Sequence, residues 1–312
     1  SDFIFYFGII TGFSNWIMNF VYLYSNMERC CNDCAAFRKF TESDEENKDK
    51  PDIDFKDVDS IEFKNVSFTY PSAEKSTINN MSFKVNKGEN IAIVGENGAG
   101  KTTAIKLLCG LYYPTDGDIL INGKSSRDFS SDSYFDLFSA VFQDYNFLPM
   151  TIAENICTAS DYDKEKLYSA FEKSGIIDKI NSLDKKENTF MIKDVHKDAV
   201  DFSGGEKQKL LLSKAIYKNA PVLILDEPTA ALDPIAENEL YLKYNEMTDN
   251  KISFFISHRL SSTRFCNKIL FIKDGTIAES GTHEELMAKK GAYYRMYQIQ
   301  SYYYKEMGGD AV

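Results

Sequence analysis

Gly95-Glu-Asn-Gly-Ala-Gly-Lys-Thr102 has the spacing G-x-x-x-x-G-K-[ST], which suits a loop wrapped around phosphate. Glycines at 95, 98 and 100 let the backbone curl so that successive N–H groups face phosphate oxygens. Lys101 sets a cation on the outer phosphates and the Thr102 hydroxyl suits Mg²⁺. A helix starting near Lys101 adds the positive end of its dipole. Glu96, Asn97, Ala99 and Thr103 complete the stretch expected to bind nucleotide. Asp226 and Glu227 are two carboxylates ending the apolar run Val222-Leu-Ile-Leu225. Open α/β sheets bind nucleotides at the carboxyl ends of their strands, so both motifs belong at one edge. Asn90-Ile-Ala-Ile-Val94, ahead of the loop, is the buried parallel strand that such a motif requires.

Ser203-Gly-Gly-Glu206 reads as a capping box, a serine N-cap with an acid three residues later. Gln143 follows Ala140-Val-Phe142, and His258 follows the β-rich run Lys251-Ile-Ser-Phe-Phe-Ile256. The glycine loop, Gln143, Phe202-Ser-Gly-Gly-Glu206, Leu223-Ile-Leu-Asp-Glu227 and Ser257-His258 occur in that order. With these five motifs the chain resembles the ATP-binding-cassette (ABC) ATPases. The resemblance implies ATP and Mg²⁺ as cofactors, with Thr102, Gln143 and Asp226 on the metal. It makes Glu227 the group that polarises the attacking water and His258 the contact to the γ-phosphate, with Lys101 and Gln143 completing the catalytic set. Tyr70, 25 residues before Gly95, matches the aromatic that stacks on adenine, and Asp233 the residue that signals across a dimer. Ser203, Gly204 and Gly205 would complete the ATP site of a second, identical chain. His196 and His283 fall outside these motifs and are expected at the surface.

The signature stretch departs from the commonest family wording, with Phe202 for Leu and Glu206 for Gln; Ala199 and Lys214 stand where Gly and Arg are usual. Either Glu or Gln can reach back to the cap, so the helix start should survive. A carboxylate near the partner's γ-phosphate opposes closure, but a solvated one is screened, so a small effect is expected.

Phe3 to Tyr24 is a run of 22 residues without a charge, long enough as a helix to span a hydrocarbon core. Gly8, Thr11, Gly12, Asn15 and Asn19 recur at helical spacing and form one stripe suited to packing against other helices. Arg29, Arg38 and Lys39 follow, placing the carboxyl end in the cytoplasm. In ABC exporters the last transmembrane helix leads directly into the ATPase, and Ser1-Asp-Phe-Ile-Phe resembles the start of that helix; the chain is expected to begin inside a larger protein. The wording Ala231-Leu-Asp-Pro-Ile-Ala-Glu237 resembles Gram-positive exporters of peptide or bacteriocin-type cargo. The function this implies is ATP hydrolysis driving export across a cell membrane, with the ATPase in the cytoplasm. A soluble ABC ATPase of translation or DNA repair is the alternative, and the Phe3–Tyr24 run speaks against it.

Nine carboxylates against three lysines between Glu42 and Asp59 read as a solvated linker and supply about half of the net charge of −11. That acidic balance argues against a nucleic-acid partner. The six cysteines form no disulfide framework, and Cys30, Cys31 and Cys34 lack the second pair or histidine of a zinc site. Residues 1–40 are read as a membrane helix with its extension, 41–57 as the linker, 58–305 as the ATP-binding domain and 306–312 as a tail. The expected fold is an α/β P-loop NTPase with a parallel core sheet, an antiparallel β subdomain and a helical insert, preceded by one transmembrane helix. Strands are expected around Ile61, Met81, Ile91, Ile119, Ala140, Val222, Ile252 and Ile269, a helix-rich stretch from Thr151 to about Leu183, and a closing helix from Ala292.

Overall fold

The computed structural model describes residues 2–48, 50–71, 73–142, 145–226, 244, 247–248, 250–257 and 260–307. The chain divides into two compact units, Ser1–Pro51 and Asp52–Val312. The first is one helix, α1 (Asp2–Lys48), of 47 residues and about 70 Å. Phe13, Trp16 and Phe20 form an exposed stacked row on it, with centroids 6.2 and 6.0 Å apart. Among the described residues no helix is long and apolar enough to cross a membrane. Asn15, Asn19 and the tyrosine hydroxyls dilute the apolar run. The helix also continues to Lys48, into the stretch read as a linker, because Glu and Lys are good helix formers.

The second unit runs β1 (Ser60–Phe68), β2 (Ile78–Asn86), β3 (Asn90–Gly95), α2 (Lys101–Leu108), β4 (Asp116–Ile121) and β5 (Lys124–Ser125). It continues through α3 (Ser131–Phe135), β6 (Phe138–Val141), α4 (Ile152–Cys157), α5 (Lys164–Ser174), α6 (Ile177–Asn181) and α7 (Gly204–Lys218). Then come β7 (Val222–Asp226), β8 (Ile252–Ile256), β9 (Lys268–Lys273), β10 (Thr276–Gly281), α8 (His283–Lys289) and α9 (Ala292–Met307). Strands β2-β1-β4-β5 make an antiparallel sheet, and β10-β9-β3-β8-β7-β6 a second sheet that is parallel except for β10. Every expected strand is present. β10 was not expected, since Thr276-Ile-Ala-Glu-Ser-Gly281 carries only one large apolar side chain and lies at a half-wet edge.

The parallel strands are apolar on both faces and bury both. Ile91 and Ile93 join Ile61, Phe63, Ile78, Ile105, Ile224 and Phe254 in a core shared by both sheets and α2. Ala92 and Val94, on the opposite face by the two-residue period, pack with Leu212, Leu225, Phe255 and Tyr293. Each such Ile or Leu contributes about 1.5–3 kcal/mol. The helical insert has a core of its own, containing Ile152, Leu167, Phe171, Ile180, Met191, Phe202 and Leu210.

His196 and His283 are half-buried rather than free on the surface. The His196 ring stacks on Phe190 at 4.1 Å, with Nε2 3.1 Å from the Pro149 carbonyl oxygen. His283 Nδ1 lies 2.8 Å from the hydroxyl of fully buried Tyr293. Burial, with Arg264 nearby, pushes the His283 pKa down. Both act as packing groups.

Candidate functional site

β3 delivers the glycine loop and α2 receives it. Gly95, Gly98 and Gly100 all have positive φ (152°, 77° and 102°). At Gly100, the α2 N-cap, a Cβ would sit 2.8 Å from Ile78 Cδ1 and 2.9 Å from the Thr77 carbonyl oxygen. Only glycine fits there without strain. Around Gly98 no atom lies within 4 Å of such a Cβ, so the loop is open on that side. The Lys101 side chain folds back under the loop, Nζ donating to the Gly95 and Glu96 carbonyl oxygens at 3.0 Å each. Its ammonium is thereby buried at the centre of the curl. Thr102 follows in the first turn of α2, and Thr103 Oγ1 lies 3.2 Å from the Tyr70 hydroxyl. The Tyr70 ring meets Phe68 and Tyr112 edge-on, with centroids 4.9 and 5.3 Å away. Tyr70 is therefore tied to the helix that starts at the phosphate loop, a contact 33 residues apart in sequence.

Strand register brings the carboxylate to the same edge. Ile256 of β8 pairs with Ile93 on one side and with Asp226 on the other. Asp226 thus lies two strand spacings, roughly 10 Å, from the strand that enters the loop. It is 1 % exposed at the carboxyl end of β7, and Ser257, buried, continues β8 between the two. Glu227, Asp233, His258 and Gln143 lie outside the described residues. β7, β8 and β6 nonetheless end immediately, or within two residues, before Glu227, His258 and Gln143 respectively. A buried carboxylate, the hydroxyl at the start of α2 and an open curl of backbone N–H groups are a donor set that fits a nucleotide triphosphate with a hard divalent cation.

The signature belongs to the other layer. Ser203 caps α7 in both directions: Ser203 Oγ accepts the Glu206 N–H (3.3 Å), and Glu206 Oε2 accepts the Ser203 N–H (2.8 Å). The capping box read from the sequence is formed. Gly204 and Gly205 are its first turn, and Phe202 is buried in the core of the helical insert. Glu206 is 26% exposed and ion-paired rather than freely solvated. Lys179 Nζ of α6 lies 3.1 Å from its other oxygen. Burial raises the Glu206 pKa, but the Ser203 N–H and Lys179 outweigh it and hold the carboxyl below its ordinary value. Lys179 stands 27 residues upstream, and no linear spacing points to it.

A glycine phosphate loop between β3 and α2, with a buried acid two strands away, defines a P-loop nucleotide-binding domain of the α/β class. Residues 78–230 match the family described as ABC transporter. The chain belongs to the ABC transporter family, and this unit is its ATP-binding domain. It is 34% identical over 299 residues to the subtilin transport ATP-binding protein SpaT of Bacillus subtilis, covering 94% of this chain and 48% of that one. The ATP-dependent lipid A-core flippase of Escherichia coli (strain K12) is 30% identical over 269 residues, covering 86% and 46%. A bacterial Atm1-family ABC exporter with ATP bound superposes with a TM-score of 0.74 at 31% identity, covering 81% of this chain and 43% of that one. The chain thus spans less than half the length of each of these relatives.

Proposed function

We propose that this chain is the ATP-hydrolysing part of a membrane exporter, and that two copies close head to tail around two ATP molecules. What supports this is the division of the site between layers: the loop and Asp226 lie on the core sheet, whereas the Ser203 cap rides on the helical insert. A second copy then brings Ser203, Gly204 and Gly205 to the γ-phosphate held by the first. Tyr70 stacks on adenine, and the N–H groups of residues 95–103 hold the phosphates. On binding, the Lys101 ammonium exchanges the Gly95 and Glu96 carbonyls for phosphate oxygens. Thr102, Gln143 and Asp226 would hold Mg²⁺, which when bound would supply positive charge to the outer phosphates. Glu227 orients a water in line, its oxygen bonds to the γ-phosphorus as the bond to the β–γ bridging oxygen breaks, and His258 steadies the γ-phosphate. Asp233 passes the state of one site to the other copy.

Residues 1–40 form the membrane segment, 41–57 the acidic connection, 58–305 the ATP-binding unit on the cytoplasmic side and 306–312 a tail. α1 is too polar to enter a bilayer alone and does so packed, through its Gly8–Asn19 stripe, against other helices of the transporter. The likeness to SpaT supports this: the 6% of the chain it leaves out is shorter than α1, so it reaches into that helix. Peptide is the cargo class we favour, since the subtilin transport protein matches 94% of this chain and the lipid A-core flippase 86%. Turnover stimulated by lipid A and not by peptide would reverse that choice.

The test is ATP turnover and ATP-dependent association of the whole chain in lipid, beside Glu227→Gln. Turnover in the unaltered chain, with a lasting ATP-bound dimer only in the variant, is expected. Equal turnover in both would remove Glu227 from the chemistry.

A further inference from the structure

Phe202 and Glu206, the two positions at which the signature stretch departs from the commonest wording, meet one cation. Lys179 of α6 lies 3.1 Å from Glu206 Oε1, and its ammonium stands 6.0 Å from the centre of the Phe202 ring. The other carboxylate oxygen accepts the Ser203 N–H, so a single side chain joins the cation to the cap. Leucine and glutamine in these places would offer Lys179 neither a ring face nor a full negative charge. The departures are thus one device. They hold a charged Glu206 in the capping rotamer while a cation from the helical insert cancels its charge.

We propose that Lys179 is a positioning residue for ATP-driven closure: it neutralises and clamps Glu206, so that the Ser203 turn meets the partner copy's triphosphate without a bare carboxylate beside it. This rests on the composite-site reading above. The physical reason is like-charge repulsion. Glu206 belongs to the first turn of the helix whose N-terminus faces the phosphates, and one anion left unbalanced there opposes the approach of another. The two side chains are 36% and 26% exposed, so solvent and salt attenuate the effect without abolishing it.

The test uses the full 312-residue chain in lipid nanodiscs. ATP is titrated without Mg²⁺ to hold back turnover, and association between copies is followed by fluorescence. Four forms make the core comparison: unaltered, Lys179→Met, Glu206→Gln and the double variant, with Lys179→Arg and Lys179→Gln beside them. Lys179→Met is expected to raise the ATP concentration for half-closure about three- to fivefold at low ionic strength. That shift should shrink as salt rises, and adding Glu206→Gln should remove it. Lys179→Arg should close like the unaltered chain. Lys179→Gln, which keeps a donor for Glu206 without the charge, should behave like the methionine variant and serves where methionine impairs folding. A staple that only holds α6 in place would show neither the salt dependence nor the rescue by Glu206→Gln. Closure at one ATP concentration in all four forms, or a defect that Glu206→Gln leaves in place, overturns the proposal alone. An unaltered chain that does not associate on ATP overturns the composite-site reading and this proposal with it.

Discussion

Replacing Gly100 by alanine tests how rigidly the phosphate loop is built, and the cost can be worked from the backbone. Gly100 sits at φ 102°, where an L-residue costs about 1–2 kcal/mol. The new Cβ would lie 2.8 Å from Ile78 Cδ1, which can swing away, and 2.9 Å from the Thr77 carbonyl oxygen. The carbonyl cannot yield as easily, because the Thr77 N–H is bonded to the Phe68 carbonyl at 2.8 Å, at the root of the antiparallel sheet. Overpacking of this kind adds about 1–3 kcal/mol. Gly100→Ala should therefore destabilise the ATP-binding unit by about 2–5 kcal/mol. Gly98→Ala is the internal control. Its φ of 77° carries the same conformational cost, but nothing lies within 4 Å of its Cβ. It should lose only about 1–2 kcal/mol. Urea unfolding of the nucleotide-free chain reads both, and the Gly100 variant should melt at a midpoint lower by about 1 M urea. Equal losses in the two variants would refute the reasoning, because the wall made by Thr77 would then be without effect.

Two further outcomes follow from side-chain geometry. Ser203→Ala removes the α7 cap and should cost about 1 kcal/mol of stability, read by thermal melting, together with a loss of ATP-dependent association. A variant that melts lower yet associates normally would separate the cap from the ATP site. The second outcome concerns Glu187, 2% exposed between α5 and α6 and their neighbours, 2.6 Å from both Lys164 Nζ and the Tyr168 hydroxyl. Burial raises its pKa, but these two partners outweigh burial and hold the folded-state value below the ordinary one. Its contribution to stability is thus complete above the unfolded carboxylate pKa and lost as pH falls through the folded value. Glu187→Gln should flatten that acid limb of the stability–pH curve and cost about 1 kcal/mol at neutral pH; an unchanged acid limb would count against the linkage.

The parts of the site that sequence revealed are those whose causes are local. The loop's glycines, the run Asn90–Val94, the run Val222–Leu225 and the Ser203–Glu206 box each act within a few residues, so type and spacing carry the whole signal. What stayed hidden was brought together by tertiary packing. Tyr70 meets Thr103 only because β1 and α2 share a core, and Lys179 meets Glu206 only because α6 folds against the start of α7. Charge composition marks the acidic stretch, and the helical preference of Glu and Lys carries α1 into it as far as Lys48. His196 and His283 carried no motif, and a ring stack and a tyrosine hydroxyl placed them.

α7 then connects the two halves of the chemistry. One face is set by the helical insert, through Leu210 in that core and the Ser174–Ser213 hydroxyl pair at 2.8 Å. Another face, together with the C-terminal end, is set by the sheet. Leu212 and Ala215 pack in the sheet's second core, and Ser139 of β6 donates to the Ala215 carbonyl at 3.2 Å while accepting the Ala220 N–H at 3.1 Å. β6 is the strand that leads to Gln143. One helix of 15 residues therefore links the strand that leads to Gln143 with the Ser203 turn. In the proposed two-copy arrangement, a closure that shifted the turn would load α7, and the Ser139 hydrogen bonds would pass that load to β6. On that proposal, coupling between the Ser203 turn and the segment after β6 follows from the two faces by which this helix is tied.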